Sequence, residues 1–386
     1  MSVVFDRLAV ELGEWFIDRL SSATTGEIAV AEVDEVRQEA RRNTRARFEQ
    51  WAKNPSCDAN TLSAVHNVRL DAAAREIGLS PSFGQSPFAI ARGNRFEAGL
   101  FVEQAARLRQ ALETKGCLLP SSSGFLDLRL KMNGGQNVST VDEALRLTQE
   151  WLQRIACDPG TAESLVAAPM IRIPKGVILP EALLIIDAVT VTLGDAMRPR
   201  VTVGEIKVFP DRGGHTEPHQ IATARAQAGV YRHALELAVL ELGLAGDIDI
   251  ATDGFLVFTW PGSNSPSVRA GEDLTYQAIR AERGFQRLEE VAHSLVRTDD
   301  FAADNPTLIQ RVLDADTNYS EACLSFCDLA PRCHKHALDA DDAIVLGMEA
   351  KRLLGETPVA RALELLNGAV PVDDREYDLQ RQLGLS

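Results

Sequence analysis

No stretch of this 386-residue chain reaches the roughly 18 to 20 uncharged apolar residues of a bilayer-spanning helix. The first twenty residues contain Asp6, Arg7, Glu11, Glu14, Asp18 and Arg19, too much charge for a secretion signal. The expectation is a soluble, cytoplasmic protein with no membrane partner. Basic charge is also in deficit: 40 Lys plus Arg stand against 55 Asp plus Glu, a formal charge of -15. The chain as a whole is therefore no basic surface for a polyanion, and any nucleic acid must be held by local patches. Cysteine is scarce, with six residues at 57, 117, 157, 323, 327 and 333. In a long chain without an export signal these argue for reduced thiols, some of them metal-binding, rather than a disulfide framework. Internal repeats and low-complexity tracts are missing too. What is present is a hydrophobic content of 45%, enough for a sizeable core. At roughly 100 to 200 residues per domain, the length suggests two or three domains.

Apolar residues at Phe5, Leu8, Leu12, Trp15 or Phe16 and Leu20 recur at helical spacing. A second helix is expected over about 33–53, and with Arg37, Arg41, Arg42, Arg45 and Arg47 it is the most basic run of the chain. That face is either solvated or phosphate-contacting. A linker rich in Ser, Pro and Gly (79–87) leads to a helix from about Ala91 past Phe101 towards Leu112. The stretch 118–138 reads as an insertion with a small strand, in which Leu126, Leu128 and Leu130 alternate with Asp127 and Arg129. A capping-box pattern, Thr140 to Glu143, opens a helix to about Ala156. From Pro169 the texture changes to short runs rich in Val, Ile, Leu and Phe, which read as strands at 170–173, 183–193, 201–209 and 254–260. A long helix is expected over about 218–242 and another over 276–296, with two or three short helices in the tail after 339. This order is that of an α/β core with helical additions at both ends. Cys117 and Cys157 read as core residues.

The strand pair is informative because its register follows from arithmetic. With a loop at 194–200 and symmetry about residue 196 or 197, Asp187 lies opposite or nearly opposite Glu205. Such side chains sit about 5 Å apart at Cβ, and two carboxylates so close repel unless a cation lies between them; hard ions such as Mg²⁺ or Mn²⁺ take oxygen ligands of this kind. Lys207 points to the same face as Glu205. These charges interrupt the apolar runs 183–186 and 201–203, so they form either a salt-bridge cluster or a metal site.

Ile185-Ile186-Asp187, Gly204-Glu205-Ile206-Lys207 and, on the next helix, Gln227-Ala228-Gly229-Val230-Tyr231 resemble motifs II and III and the Gln-x3-Tyr motif of RecB-like nucleases of the PD-(D/E)XK superfamily. Arg92-Gly93-Asn94-Arg95-Phe96-Glu97 is similar to that family's first motif, with Glu97 where many members have His. Members with an iron-sulfur cluster, among them the AddB subunit and CRISPR-associated adaptation exonucleases, have one cysteine ahead of these motifs and three close together after them. Cys57 with Cys323, Cys327 and Cys333 matches that arrangement. The spacing here is Cys-x3-Cys-x5-Cys, where the family usually has Cys-x2-Cys-x5-Cys, which keeps a Zn²⁺ site with His334 or His336, or buried free thiols, open beside a [4Fe-4S] cluster.

The resemblance covers about residues 57–335. It implies a PD-(D/E)XK restriction-endonuclease-like core, a mixed sheet flanked by helices, over 57–338, with an insertion at about 115–165, the cysteine segment at 323–333, an N-terminal helical region (1–56) and a helical tail (339–386). It implies one or two Mg²⁺ or Mn²⁺ ions held by Glu97, Asp187, Glu205 and the backbone carbonyl of Ile206. Lys207 would orient or deprotonate the attacking water, and Gln227 and Tyr231 would position the phosphate, Tyr231 alternatively serving only to pack. The implied activity is hydrolysis of DNA, acting on single strands or ends as an exonuclease, in repair, CRISPR adaptation or anti-phage defence. The alternatives are a non-catalytic DNA-binding subunit of a helicase or defence complex and, more remotely, a zinc-stapled interaction protein. Arg212 and Arg225, with Arg232 and the 37–47 helix, would line a groove for the phosphate backbone. His215 and His219, in a Gly-rich loop, have the spacing of a ligand pair, the alternative being a flexible loop without metal. Leu353, Leu354, Leu363, Leu365 and Leu366 either pack the tail or dock a partner.

Overall fold

The computed structural model describes residues 44–81, 87–119, 124–131, 135–160, 162–173, 182–194, 197–263, 265–301 and 303–383. The helix expected at 5–20 and Arg37, Arg41 and Arg42 lie outside them.

Helices α1 (Thr44–Lys53), α2 (Asp58–His66), α3 (Leu70–Glu76), α4 (Pro87–Leu100) and α5 (Val102–Thr114) come first. Strand β1 (Phe125–Asp127), helix α6 (Val141–Cys157) and strands β2 (Leu165–Ala167), β3 (Met170–Ile173), β4 (Ala182–Ile185), β5 (Ala188–Leu193) and β6 (Pro199–Pro210) follow. Next are α7 (Pro218–Glu241), strands β7 (Asp249–Ile250), β8 (Asp253–Thr259) and β9 (Pro266–Asp273), and helix α8 (Thr275–Leu295). Helices α9 (Asn305–Asp314), α10 (Ala330–Ala340), α11 (Met348–Leu354), α12 (Val359–Leu366) and α13 (Asp374–Gln382) close the chain.

The central sheet has the order β1-β2-β5-β6-β8-β9, with β7 also on β6; β3 and β4 form a separate pair. It is mixed: β6 runs parallel to β8 and antiparallel to β5. Strand alternation sorts its side chains to two faces. Val189, Val191, Val201, Val203, Leu256 and Phe258 join the core beneath α6, α7 and α8. Ala188, Ile206, Phe255, Val257 and Val268 join a second core beneath α4 and α5. The architecture is thus a mixed α/β sheet flanked by helices. A third apolar cluster joins α2 and α3 to α9 and the cysteine segment, and a fourth holds the tail together. Residues 115–165 supply β1 to the sheet and α6, whose Trp151 and Leu152 are fully buried in the main core. Thr140 caps α6 by accepting from the Glu143 N–H, while the Glu143 carboxylate reaches back to the Ser139 N–H.

Four expectations need correction. The run 183–193 is two strands, because the chain changes sheets at Asp187: the Ile186 N–H donates to the Pro169 carbonyl on the β3 side and β5 starts one residue later. The helix expected through Phe101 is broken there, and Glu103, Gln104 and Ala105 have left-handed φ values of 52°, 58° and 57°. Strand β9 escapes a reading by apolar runs because it is an edge strand with Pro266, Arg269, Gly271 and Glu272 in its eight residues. Cys157 is exposed at the end of α6 rather than in the core, while Cys117 is half-buried beside the α5 cluster.

Arg47 is not a phosphate contact. It is buried, and its guanidinium donates to the Ala64 and Val65 carbonyls at the end of α2, satisfying groups that a helix end leaves unpaired. Beside it His66 lies 3.5 Å from the Asp300 carboxylate, which also pairs with Arg311. Burial first, then the charges of Arg311 and Arg47, push His66 down to about 4. Between the ordinary value of 6.5 and about 4 the unfolded chain therefore binds a proton that the folded protein excludes. Stability from this group is complete above pH 6.5 and is lost as pH falls towards 4. We expect a loss of roughly 2 kcal/mol between pH 7 and 5. His66→Phe, compared by urea unfolding at both values, should show a smaller loss; an identical loss would exclude His66 as its source.

Candidate active site and cysteine cavity

The β5–β6 ladder pairs Ala188 with Gly204 and Leu193 with Pro199. Continuing that register by one residue sets Asp187 opposite Glu205, as the hairpin arithmetic requires. Gly204 is needed at the last pair, since a Cβ there would lie 2.1 Å from the Phe255 ring. Glu205 has no exposed surface, and its Oε1 lies 2.5 Å from the Lys207 ammonium on the same strand face. Asp187 is fixed at both oxygens: Oδ2 accepts from the Ile206 N–H at 2.8 Å and Oδ1 from the Tyr231 hydroxyl at 2.9 Å.

Tyr231 is fully buried on α7, so it both packs and bonds. Gln227, one turn earlier on the same face, is buried at 7% exposure, and its Oε1 has no hydrogen-bond partner among the described residues. Gly229 between them lets α8 approach, because a Cβ there would meet Gln277 Cβ at 2.3 Å and backbone at 2.7 Å. Six of the expected site residues (Asp187, Glu205, Ile206, Lys207, Gln227 and Tyr231) thus belong to the middle of β6, the start of β5 and the face of α7 that carries Tyr231. Glu97 is exposed on α4, one turn beyond Gly93, whose position faces Val208 of β6. Among the described residues no three His, Cys, Asp or Glu side chains stand close enough to hold a metal ion as they are placed.

The expected phosphate-binding arginines are largely committed elsewhere. The Arg225 Nε donates to the buried Glu272 at 2.5 Å, and Arg232 pairs with Glu236 at 2.7 Å. Arg212 is exposed. His215 and His219 are exposed and belong to no metal-holding group.

Cys57, Cys323, Cys327 and Cys333 line a single cavity, although 265 residues lie between the first two in sequence. Its walls come from α2, α3, the 317–329 segment and α10, with Asn54, Asn60, Leu70, Phe326 and Leu329 among them. The Cys323 sulfur accepts from Asn54 Nδ2 at 3.2 Å and from the Ser320 N–H at 3.5 Å. A hydrogen bond from Cys327 lowers the Cys323 thiol to about 5 against the opposing effect of burial, with help from Ser320 and Asn54. The same bond and burial raise Cys327, and burial raises Cys57 and Cys333. Neither His334 nor His336 lines the cavity: His336 is exposed and His334 packs edge-on to Tyr319 at 4.9 Å. Asn54 escaped the sequence reading, its one signal being a place three residues before Cys57.

No family model, curated protein or solved structure matches this chain. No helix among the described residues is long and apolar enough to cross a membrane.

The Glu205–Lys207 pair yields a stability test. Lys207→Ala leaves a wholly buried carboxylate without its ammonium, and in chelator it should lower the unfolding free energy by about 3 kcal/mol or more. Glu205→Gln removes the buried charge and should cost much less, and the double variant should be more stable than Lys207→Ala alone. Urea unfolding of the three proteins checks this, and a Lys207→Ala variant as stable as wild type would show that the pair contributes little.

Proposed function

We propose that the chain is a metal-dependent deoxyribonuclease whose catalytic centre is Asp187, Glu205 and Lys207. The observation that carries this reading is a buried acid, Glu205, set in register with Asp187 and beside Lys207 midway along β6. The family resemblance of the motifs supplies the reaction class. Asp187 and Glu205, with the Ile206 carbonyl, offer the hard oxygen donors that Mg²⁺ or Mn²⁺ takes. Glu97 on α4 would be the third carboxylate. A divalent cation held there would polarise a phosphoryl oxygen and lower the pKa of water.

The chain's own side chains have definite tasks in this reading. Tyr231 holds Asp187 in one orientation through Oδ1. Lys207 orients the attacking water or stabilises negative charge as the phosphorus becomes pentacoordinate. Gln227 has a buried carbonyl oxygen available to accept a hydrogen bond from water at the site. The four cysteines fit a [4Fe-4S] cluster better than zinc with histidine, since the cavity offers four sulfurs, N–H donors to one of them, and no imidazole. The cluster's task is to tie α2 to the 323–333 segment.

End-labelled single- and double-stranded DNA should be degraded by anaerobically purified protein in Mg²⁺ or Mn²⁺. Activity should fall by about a hundredfold or more in Lys207→Ala and in Glu205→Gln, the second chosen to fold if the first does not. Resistance of closed circular DNA would establish action from ends. The Lys207–Glu205 ion pair also suits a second reading, a non-catalytic DNA-binding subunit of a helicase or defence complex. DNA binding without cleavage by metal-loaded wild type would favour it.

Metal analysis should find about four iron atoms per chain. That iron should be lost in Cys57→Ser and in Cys327→Ser and kept in Cys157→Ser. Stoichiometric zinc without iron would replace the cluster with a zinc site.

A further inference from the structure

Helix α5 presents two stripes. Ala105, Leu108 and Leu112 face the core beneath the sheet. Arg107, Gln110, Ala111, Thr114 and Lys115, at i, i+3, i+4, i+7 and i+8, line one wall of an open groove of about 870 Å³. That stripe contains two cations and no acid, in a chain with fifteen more acids than bases. The opposite wall is edge strand β9 with Arg269, and Trp260 stands at the rim on the β8–β9 turn. The loop after β6 forms the floor.

Two acids reach this groove, and both are already engaged. Asp211 is 2% exposed and accepts from the Ser267 hydroxyl at 2.5 Å and the Thr216 hydroxyl at 3.3 Å. Glu272 is 6% exposed and lies between Arg225 and Arg269. What the groove shows to solvent is therefore the positive charge of Arg107 and Lys115, while Arg269 is engaged with Glu272 and the Gly214 carbonyl. The indole of Trp260 is 45% exposed, whereas Trp51 and Trp151 are buried at 3% and 0%.

A cationic channel with an exposed aromatic ring at its edge suits a chain of phosphates with unstacked bases. Phosphates attract the guanidinium and ammonium groups, and every base has a face to stack on an indole. A duplex offers phosphates but no free base face. We propose that the groove between α5 and β9 binds single-stranded DNA, with Arg107 and Lys115 on the backbone and Trp260 stacked on a base. This deepens the nuclease reading and rests on it for the substrate: Asp211 in the groove floor stands four residues beyond Lys207, just past the end of the strand that carries the acid site.

Fluorescence anisotropy with labelled oligothymidine and a duplex of equal length, in chelator so that no cleavage occurs, tests the site apart from the chemistry. Trp260→Ala should weaken single-strand binding about tenfold, leave duplex binding little changed and be rescued by Trp260→Phe. Arg107→Ala with Lys115→Ala should reduce the slope of log affinity against log salt by about 1.4, two phosphate contacts on a single strand, while Trp260→Ala should not change it. All three positions are exposed, and unchanged unfolding curves would exclude misfolding. Unchanged affinity in both variants, equal losses on duplex and single strand with Trp260→Ala, or capture of an extended peptide by edge strand β9 with no effect of these residues on DNA would each overturn the proposal. Groove-dependent binding by a protein that never cleaves would support the site and sink the nuclease reading.

Discussion

Glu205 has no exposed surface, and taking a carboxylate out of water costs several kcal/mol unless a countercharge meets it in good geometry. Much of the surrounding structure serves that requirement. Lys207 supplies the charge from the same strand, two residues on. Asp187 is held just across the ladder by the Ile206 N–H and by Tyr231, so a second acid is fixed where repulsion would otherwise move it. Close packing then prevents relaxation: the Phe255 ring lies over Gly204, and α8 lies against Gly229. Apolar residues could fill this position at lower cost. Retaining two acids and an ammonium here is what a site for a hard cation and an anionic substrate demands, and this is why the proposed chemistry is centred on it.

The register of Asp187 and Glu205 was legible because the hairpin is symmetric and the strands alternate without a bulge from Ala188 to Leu193. The helix 218–241 was legible for a similar reason, being long and opened by Pro218. What was not legible depended on tertiary contacts. Arg47 reads as surface charge in a basic run, yet two carbonyls at the end of α2 draw it inside. Arg225 reads as a phosphate contact, but its partner Glu272 lies 47 residues on, across the fold. The exposed position of Glu97 follows from how α4 packs on the sheet, which the local motif does not determine. The cysteines lie between these cases: their order suggested one site, and only the docking of α2 against the 317–333 segment brings them to one cavity.

The acid site and the cysteine cavity are joined mechanically. Cys57 is the residue immediately before α2, and α2 packs against α8. Helix α8 in turn packs along α7, with Gln277 against Gly229, and α7 carries Gln227 and Tyr231. The Phe48 ring of α1, 4.3 Å from that of Phe285 on α8, reinforces the same seam. A displacement of α2 therefore has a short route, through two closely packed helices, to the hydroxyl that orients Asp187. Protein interiors are packed too densely to absorb such a shift locally. A cluster binding Cys57 to the 323–333 segment would set the position of α2, so its effect on catalysis would be one of positioning and would not require electron transfer. On the proposed reading, four sulfurs across α8 would in this way serve a site whose own groups are carboxylates and an ammonium.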